Sequence, residues 1–283
     1  MNAAAIHTQY SLSPLAGNLG ITTIHDVSFF LGPEWFKPKD RALLRATVPA
    51  AARRAARIIT VSETSKTEIG RFIPGLGEKI RVTYPAAHPG ITPIKKSIAK
   101  QTIKQRLNID GPFVLSVGTI WPRKNTKLVV EAAGLLPSEV PHKLVLTGKK
   151  GWGEGSNRQS SIGNRLSATG YVDFETLSNL YSAADLYLAP SRHEGFGIPL
   201  IEAFLCGCPV LCSGGGALPE TAGGAAEVEP TWEPAHWADT IQSLLQDSGK
   251  LDQLRAKGIE RARRFTWEET ARKTLQVYQE VAN

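Results

Sequence analysis

The 283-residue sequence has only three cysteines, and they fall together at Cys206, Cys208 and Cys212. An odd, clustered set excludes a disulfide framework and favours a reducing compartment. As zinc ligands the three lack a fourth partner at the usual spacing, so they read as core residues and no metal is expected. No stretch approaches the roughly 20 apolar residues of a membrane span. The N-terminal MNAAAIHTQYSLSPLAG has no basic region before a long apolar run, which predicts no secretory signal and a cytoplasmic protein. Internal repeats and low-complexity segments are missing. Positive charge is absent from residues 1–36, which hold no Lys or Arg against two acidic residues. The net charge of +7 belongs instead to residues 37–106, where 16 basic residues oppose 4 acidic ones, a surplus of 12. Such a segment is either a solvated helix face or one suited to anionic lipid, hence to peripheral association at the inner face of a membrane. No nucleic-acid module accompanies it.

What is present is enough apolar sequence, 42% of residues, to bury a core, over a length that suits about two domains. Short apolar, β-branched runs recur at ITTIHD (21–26), RIITVS (57–62), KIRVTYP (79–85), FVLSVGT (113–119), KLVLTG (143–148), ATGYV (168–172), DLYLAPS (185–191), PVLCS (209–213) and AAEVE (225–229). Nearly continuous runs predict strands buried on both faces of a parallel sheet. Helical patterns alternate with them. DFETLSNLYSAA starts at an N-cap, Asp173; IPLIEAFLCG has Pro199 in its first turn and Gly207 at its end; TWEE places Thr266 and Glu269 at capping-box spacing. The alternation predicts an open α/β fold. Prolines interrupt the pattern over residues 83–97, dividing an N-terminal part (1–92, with three strand candidates) from a complete doubly wound domain (93–265) and a last helix (266–283).

The chemistry gathers where strands end. After DLYLAPS comes SRHEGFG, then an apolar helix, so Glu194 precedes a glycine turn and Glu202 lies one turn inside the helix. In open α/β sheets ligands bind at the carboxyl ends of the strands. Gly195 and Gly197 permit close main-chain approach, and the helix from Ile198 offers N–H groups and a positive dipole end to a phosphate. Two carboxylates at this spacing can hold different hydroxyls of one sugar-bearing ligand. In VGTIWPRKN, Arg123 and Lys124 stand beside Gly118, where they form either solvated surface or a diphosphate clamp. LTGKKGWG (146–153) and SGGGALPE (213–220) are two further strand-end glycine loops.

These motifs, with TGYVDFETLSNLYSAADLYLAPSRHEGFGIPLIEA and GALPETAGGAA, closely resemble the donor-binding half of the retaining glycosyltransferases of family 4, which have the GT-B fold. The likeness runs from about residue 20 to the end and includes TIHDVSFFLGPEWF and VSETSKTEI. It implies two Rossmann-like domains and transfer of a hexose from a nucleotide-diphosphate sugar, GDP-mannose before UDP- or dTDP-sugars. The implied acceptor is a glycan or lipid-linked molecule in surface polysaccharide or glycolipid assembly, and no metal or other cofactor is required. By the same resemblance, Glu194 and the backbone of Gly195, Phe196 and Gly197 hold the transferred sugar, Glu202 the ribose, and Val172 lines the nucleobase pocket. Arg123 and Lys124 neutralise the leaving diphosphate; many members carry a further Arg where this chain has Thr119. His25 matches a histidine facing the donor sugar from the other domain, the alternative being a strand-end histidine satisfied within the fold. The family's Gly-rich loop near the start of its N-terminal domain finds no match, which leads to the expectation of a domain entered some 80 residues late. The alternative reading is then a nucleotide-sugar-binding form with impaired transfer. A pyridoxal-phosphate lysine region, expected of a related phosphorylase, is not found.

Overall fold

The computed structural model describes residues 4–151 and 163–282. Its strands are β1 (Ile6–Gln9), β2 (Gly20–Thr23), β3 (Arg57–Thr60), β4 (Ile80–Val82), β5 (Phe113–Val117), β6 (Lys143–Thr147), β7 (Leu166–Gly170), β8 (Leu186–Ala189), β9 (Val210–Ser213) and β10 (Glu227–Glu229). Its helices are α1 (Ser28–Leu31), α2 (Pro38–Arg54), α3 (Glu63–Phe72), α4 (Lys96–Leu107), α5 (Thr126–Leu135), α6 (Phe174–Ala183), α7 (Ile198–Leu205), α8 (Leu218–Ala222), α9 (Pro234–Gln246), α10 (Ser248–Ala262) and α11 (Trp267–Ala282). Packing divides the chain into two units. Unit 1 is Met1–Ala86 with Glu194–Phe196 and Phe265–Asn283; unit 2 is Ala87–His193 with Gly197–Arg264.

Unit 1 carries a four-stranded parallel sheet in chain order, β1-β2-β3-β4. All nine apolar runs become strands, and β1 is one more. IHTQ escapes an apolar-run criterion because it alternates at the sheet edge, with Ile6 and Thr8 half-buried and His7 and Gln9 exposed. The period of two in a strand splits the core by face. Ile58 joins Val48, Phe29 and Ile69 on one side, while Ile59 and Ile21 meet Val277 of α11 on the other. Arg57 and Arg81 both hold Glu280 of that helix, at 2.6 and 2.8 Å. The capping box of α11 forms only by half. Thr266 Oγ1 accepts the Glu269 N–H at 3.2 Å, but the Glu269 carboxylate turns to Arg272 instead of back to the cap.

Unit 2 carries a six-stranded parallel sheet ordered β10-β9-β8-β5-β6-β7. From β5 the chain steps outward through β6 and β7, then returns to place β8 on the other flank of β5 and continues to β9 and β10. The strand order therefore reverses between β5 and β8. Leu144, Leu186, Leu188 and Leu211 pack there with Val129 of α5 and Trp237 of α9. The cysteines belong to this interior: Cys206, Cys208 and Cys212 are buried and reduced. Burial pushes the thiols of Cys206 and Cys212 up to about 12 and that of Cys208 higher still, which suits apolar filling rather than nucleophilic use.

Candidate active site

In unit 2 the site grows from the reversal of strand order. Parallel strands on either side of such a point send their following loops apart, which opens a crevice at their carboxyl ends. The loop after β5 is VGTIWPRKN and the loop after β8 is SRHEGFG. Arg123 ties the first to the second: its guanidinium donates to the His193 carbonyl at 2.7 Å, and the Arg192 N–H donates to the Arg123 carbonyl at 2.8 Å. The Lys124 stem passes over Gly118, 3.6 Å from where a Cβ would stand. Asn125 follows at φ 49°, and this left-handed residue turns the chain into α5. Gly118 and Gly148 both have φ near +145°, and a Cβ on Gly148 would stand 2.2 Å from the Gly118 carbonyl oxygen. The glycines thus let the β5 and β6 loops lie main chain against main chain. Residues 152 and 153 of the LTGKKGWG loop fall outside the described residues.

Gly197 opens α7 with φ +100°, in a position where a Cβ would meet Leu218 at 2.8 Å. The helix start offers fewer donors than its sequence suggests. Pro199 has no N–H, and the Leu200 N–H turns back to the Gly197 carbonyl at 2.9 Å. Of the first three helical residues, only Ile198, 37% exposed, keeps an N–H that the helix cannot use. Glu202 is 5% exposed and held on both oxygens. Oε1 accepts the His88 main-chain N–H at 3.4 Å, and Oε2 accepts the hydroxyl of buried Tyr181 at 3.1 Å. Burial raises its pKa, against the opposing pull of these hydrogen bonds. Each carboxylate oxygen retains a second acceptor direction. Val172 is half-buried between β7 and the Asp173 N-cap of α6, whose carboxylate accepts the Thr176 N–H at 2.7 Å. Beside it Phe174 stacks on His88, ring centroids 3.6 Å apart and 12° from parallel. His88 and Tyr181 escape a reading of motifs. One lies in the proline-rich stretch before α4, and the other is 21 positions from its partner.

In unit 1 His25 lies two residues past the end of β2, half-buried, with Nε2 3.5 Å from Gln9 Oε1. Burial lowers its pKa while neighbouring Asp26 acts to raise it. Glu194, Gly195 and Phe196 belong to this unit and are buried. Gly195 lies directly on the His25 main chain, where a Cβ would sit 2.6 Å from the His25 carbonyl oxygen. Phe196 joins an aromatic cluster with Tyr84 and Phe265, at centroid distances of 6.0 and 5.2 Å. Two residues that carry no role in the motif reading, Ser62 and Ser65, both bond to this segment. The sequence signal for Ser62 was available, since it precedes the helical pattern as an N-cap.

Residues 98–265 match the family model described as Glycosyl transferases group 1, which is more than half of the chain. The chain belongs to that family. It is a glycosyltransferase. A relative from Escherichia coli, O-antigen chain mannosyltransferase B, is 35% identical over 267 residues, covering 91% of this chain and 69% of that protein. Sucrose-phosphate synthase from Thermosynechococcus elongatus superposes with TM-score 0.77 at 25% identity, covering 93% of this chain and 67% of that one. HepE of Anabaena, solved with UDP and glucose, gives TM-score 0.76 at 22% identity, with 93% and 71% coverage. This glycosyltransferase has the GT-B fold, built from two Rossmann-like units. Among its described residues no helix is long and apolar enough to cross a membrane.

Proposed function

We propose that this glycosyltransferase moves a hexose, with retention, from a nucleotide-diphosphate sugar to a glycan or lipid-linked acceptor in surface polysaccharide assembly, with GDP-mannose the first donor to test. The observation that carries the reading is the pair of hydrogen bonds by which Arg123 joins the loops on either side of the β5/β8 reversal. It holds a guanidinium at the carboxyl ends of the central strands, where a leaving diphosphate needs charge compensation. The Escherichia coli relative, named an O-antigen chain mannosyltransferase, supports the sugar and the kind of product.

The reaction breaks the bond between the anomeric carbon and the phosphate oxygen with oxocarbenium character. The acceptor hydroxyl attacks from the face the diphosphate is leaving, and its proton passes to the departing phosphate oxygen. The protein's task is to stabilise negative charge on that group, which preorganised cations do without reorganising at the moment of reaction. Arg123 and Lys124 serve there in place of a divalent metal. Glu202 holds ribose hydroxyls in an orientation set by Tyr181 and His88, and Val172 lines the base. Glu194 and the Gly195–Phe196 main chain hold the sugar, and His25 contributes on the sugar side. In unit 1, α2 leaves Lys39, Arg45 and Arg53 exposed and Leu43 62% exposed, which supports peripheral association with anionic membrane.

Calorimetry with GDP, UDP and dTDP tests the nucleotide site, and transfer of radiolabelled sugar to a lipid extract tests the reaction. Tight binding of one nucleotide and transfer that persists in EDTA are expected. A wild-type chain that binds none of the three, or whose transfer is strictly dependent on Mg²⁺ or Mn²⁺, would overturn the reading.

A further inference from the structure

Ser62 and Ser65 sit at the start of α3, and both are fully buried. Each hydroxyl is committed. Ser62 Oγ accepts the Ser65 N–H at 2.9 Å as the helix N-cap, and donates its proton to the Gly195 carbonyl at 2.7 Å. Ser65 Oγ stands 2.9 Å from the His25 carbonyl and 3.1 Å from the Gly195 carbonyl, so its single proton is shared between them. An N-cap needs only an acceptor, and a short helix-capping serine has no call for a buried donor directed 133 residues along the chain. Gly195 itself lies against the His25 carbonyl because it has no side chain, a Cβ there falling 2.6 Å from that oxygen. Phe196, next in sequence, is pinned by Tyr84 and Phe265. The peptide between Glu194 and Phe196 is thereby fixed from two sides, by hydroxyl donors at its carbonyl and an aromatic cluster at its following ring.

We infer that Ser62 and Ser65 are positioning residues for glycosyl transfer: their hydroxyls hold the Gly195 carbonyl beside the His25 main chain and so set the orientation of Glu194 toward the transferred sugar. The inference rests on the proposed role of Glu194 and its neighbours on the sugar side. It requires no further ligand and assigns the serines no proton transfer. Because the nucleotide is proposed to be held by unit 2, loss of these hydroxyls should weaken the grip on the sugar and leave the grip on the nucleotide unchanged.

The test compares affinity for the intact nucleotide sugar with affinity for its nucleoside diphosphate, using GDP-mannose and GDP, or the UDP or dTDP pair that the wild type prefers. Ser65→Ala removes one shared donor and keeps the Ser62 cap, so it is the variant least exposed to misfolding; Ser62→Ala removes cap and donor together, and Ser62→Thr keeps both. Ser65→Ala is expected to lower the ratio of the two affinities and kcat by about threefold to tenfold, the range for a lost neutral hydrogen bond, with GDP affinity and KM for acceptor unchanged. Ser62→Ala should do more in the same direction, and Ser62→Thr should restore the ratio. Unchanged ratios in both alanine variants, or a parallel fall in GDP and GDP-mannose affinity tracking a lower Tm, overturn the inference while the proposed function stands. A wild type that binds no nucleotide overturns the proposed function and the inference with it.

Discussion

The two parallel sheets differ in one topological respect. The sheet of unit 1 runs β1-β2-β3-β4 in chain order, whereas that of unit 2 reverses between β5 and β8. A sheet in chain order sends all its crossovers the same way, so no gap opens between neighbouring strand-end loops; a reversal opens one. The charged residues follow that difference. Arg123 and Lys124 flank the reversal in unit 2, while the strand ends of unit 1 present His25 and the hydroxyls of Ser62 and Ser65 around a borrowed tripeptide, Glu194–Phe196. The proposed diphosphate clamp thus lies in unit 2 and the proposed sugar-side residues in unit 1.

The largest effect should come from Glu194→Ala. Sugar transfer is expected to vanish while nucleoside diphosphate binding stays within a few-fold, because Glu194 is proposed to hold the sugar and belongs to unit 1. A titration in which both are lost together would break the division. Next is Arg123→Ala, expected to raise the barrier to transfer on the order of 2–4 kcal/mol by analogy with a lost charge-stabilising donor. Nucleotide affinity should fall too, the signature of unit 2, and added Mg²⁺ should not rescue turnover. A loss of transfer with full GDP affinity would move Arg123 to the sugar side.

A pair of glycines sharpens the contrast in stability. Gly148→Ala forces a side chain at φ +145° onto the Gly118 carbonyl, which should cost about 1–3 kcal/mol or more in urea unfolding. Gly70→Ala, in α3 with open space around it, should stabilise unit 1 by roughly 0.5–1 kcal/mol through helix propensity. Equal destabilisation by both would contradict the local geometry. A pH-dependent effect is expected at Asp185, just before β8. Burial alone would raise its pKa, but hydrogen bonds from His142 and Lys96, with the Lys96 charge 2.7 Å away, hold it well below the usual carboxylate range. A depressed folded-state pKa stabilises the native state above the unfolded value near 4 and loses that contribution as pH falls through the folded one. Asp185→Asn should therefore cost about 1–2 kcal/mol at pH 7, with a difference from wild type that shrinks as the buffer is taken below pH 4.

Much of this was legible in residues alone, and for identifiable reasons. Apolar β-branched runs mark strands, so β2 to β10 could be read directly, although burial on both faces fails for β7 and β10, which close the edges of their sheet and have no fully buried residue. Asp173 and Gly207 marked helix ends by conformational chemistry that does not depend on distant contacts. The strand β1 could not be read that way, because an edge strand needs only half of its residues apolar. The glycines of HEGFG were legible as turn-formers but not for their cause. Gly195 is small because the His25 carbonyl lies against it, and Gly197 because Leu218 does.

Local signals thus determined the alternation of strands and helices, the glycine loops at strand ends and the family resemblance, since each depends on residues close in sequence. Tertiary structure alone decided which of those loops meet. Strand order is set by how crossovers pack, and no neighbouring residue encodes that β8 returns to the flank of β5. The same holds for Tyr181 and His88 on Glu202 and for Ser62 on Gly195, at separations of 21, 114 and 133 residues. A buried hydrogen bond needs its two partners brought within about 3 Å, and only the assembled fold supplies that distance.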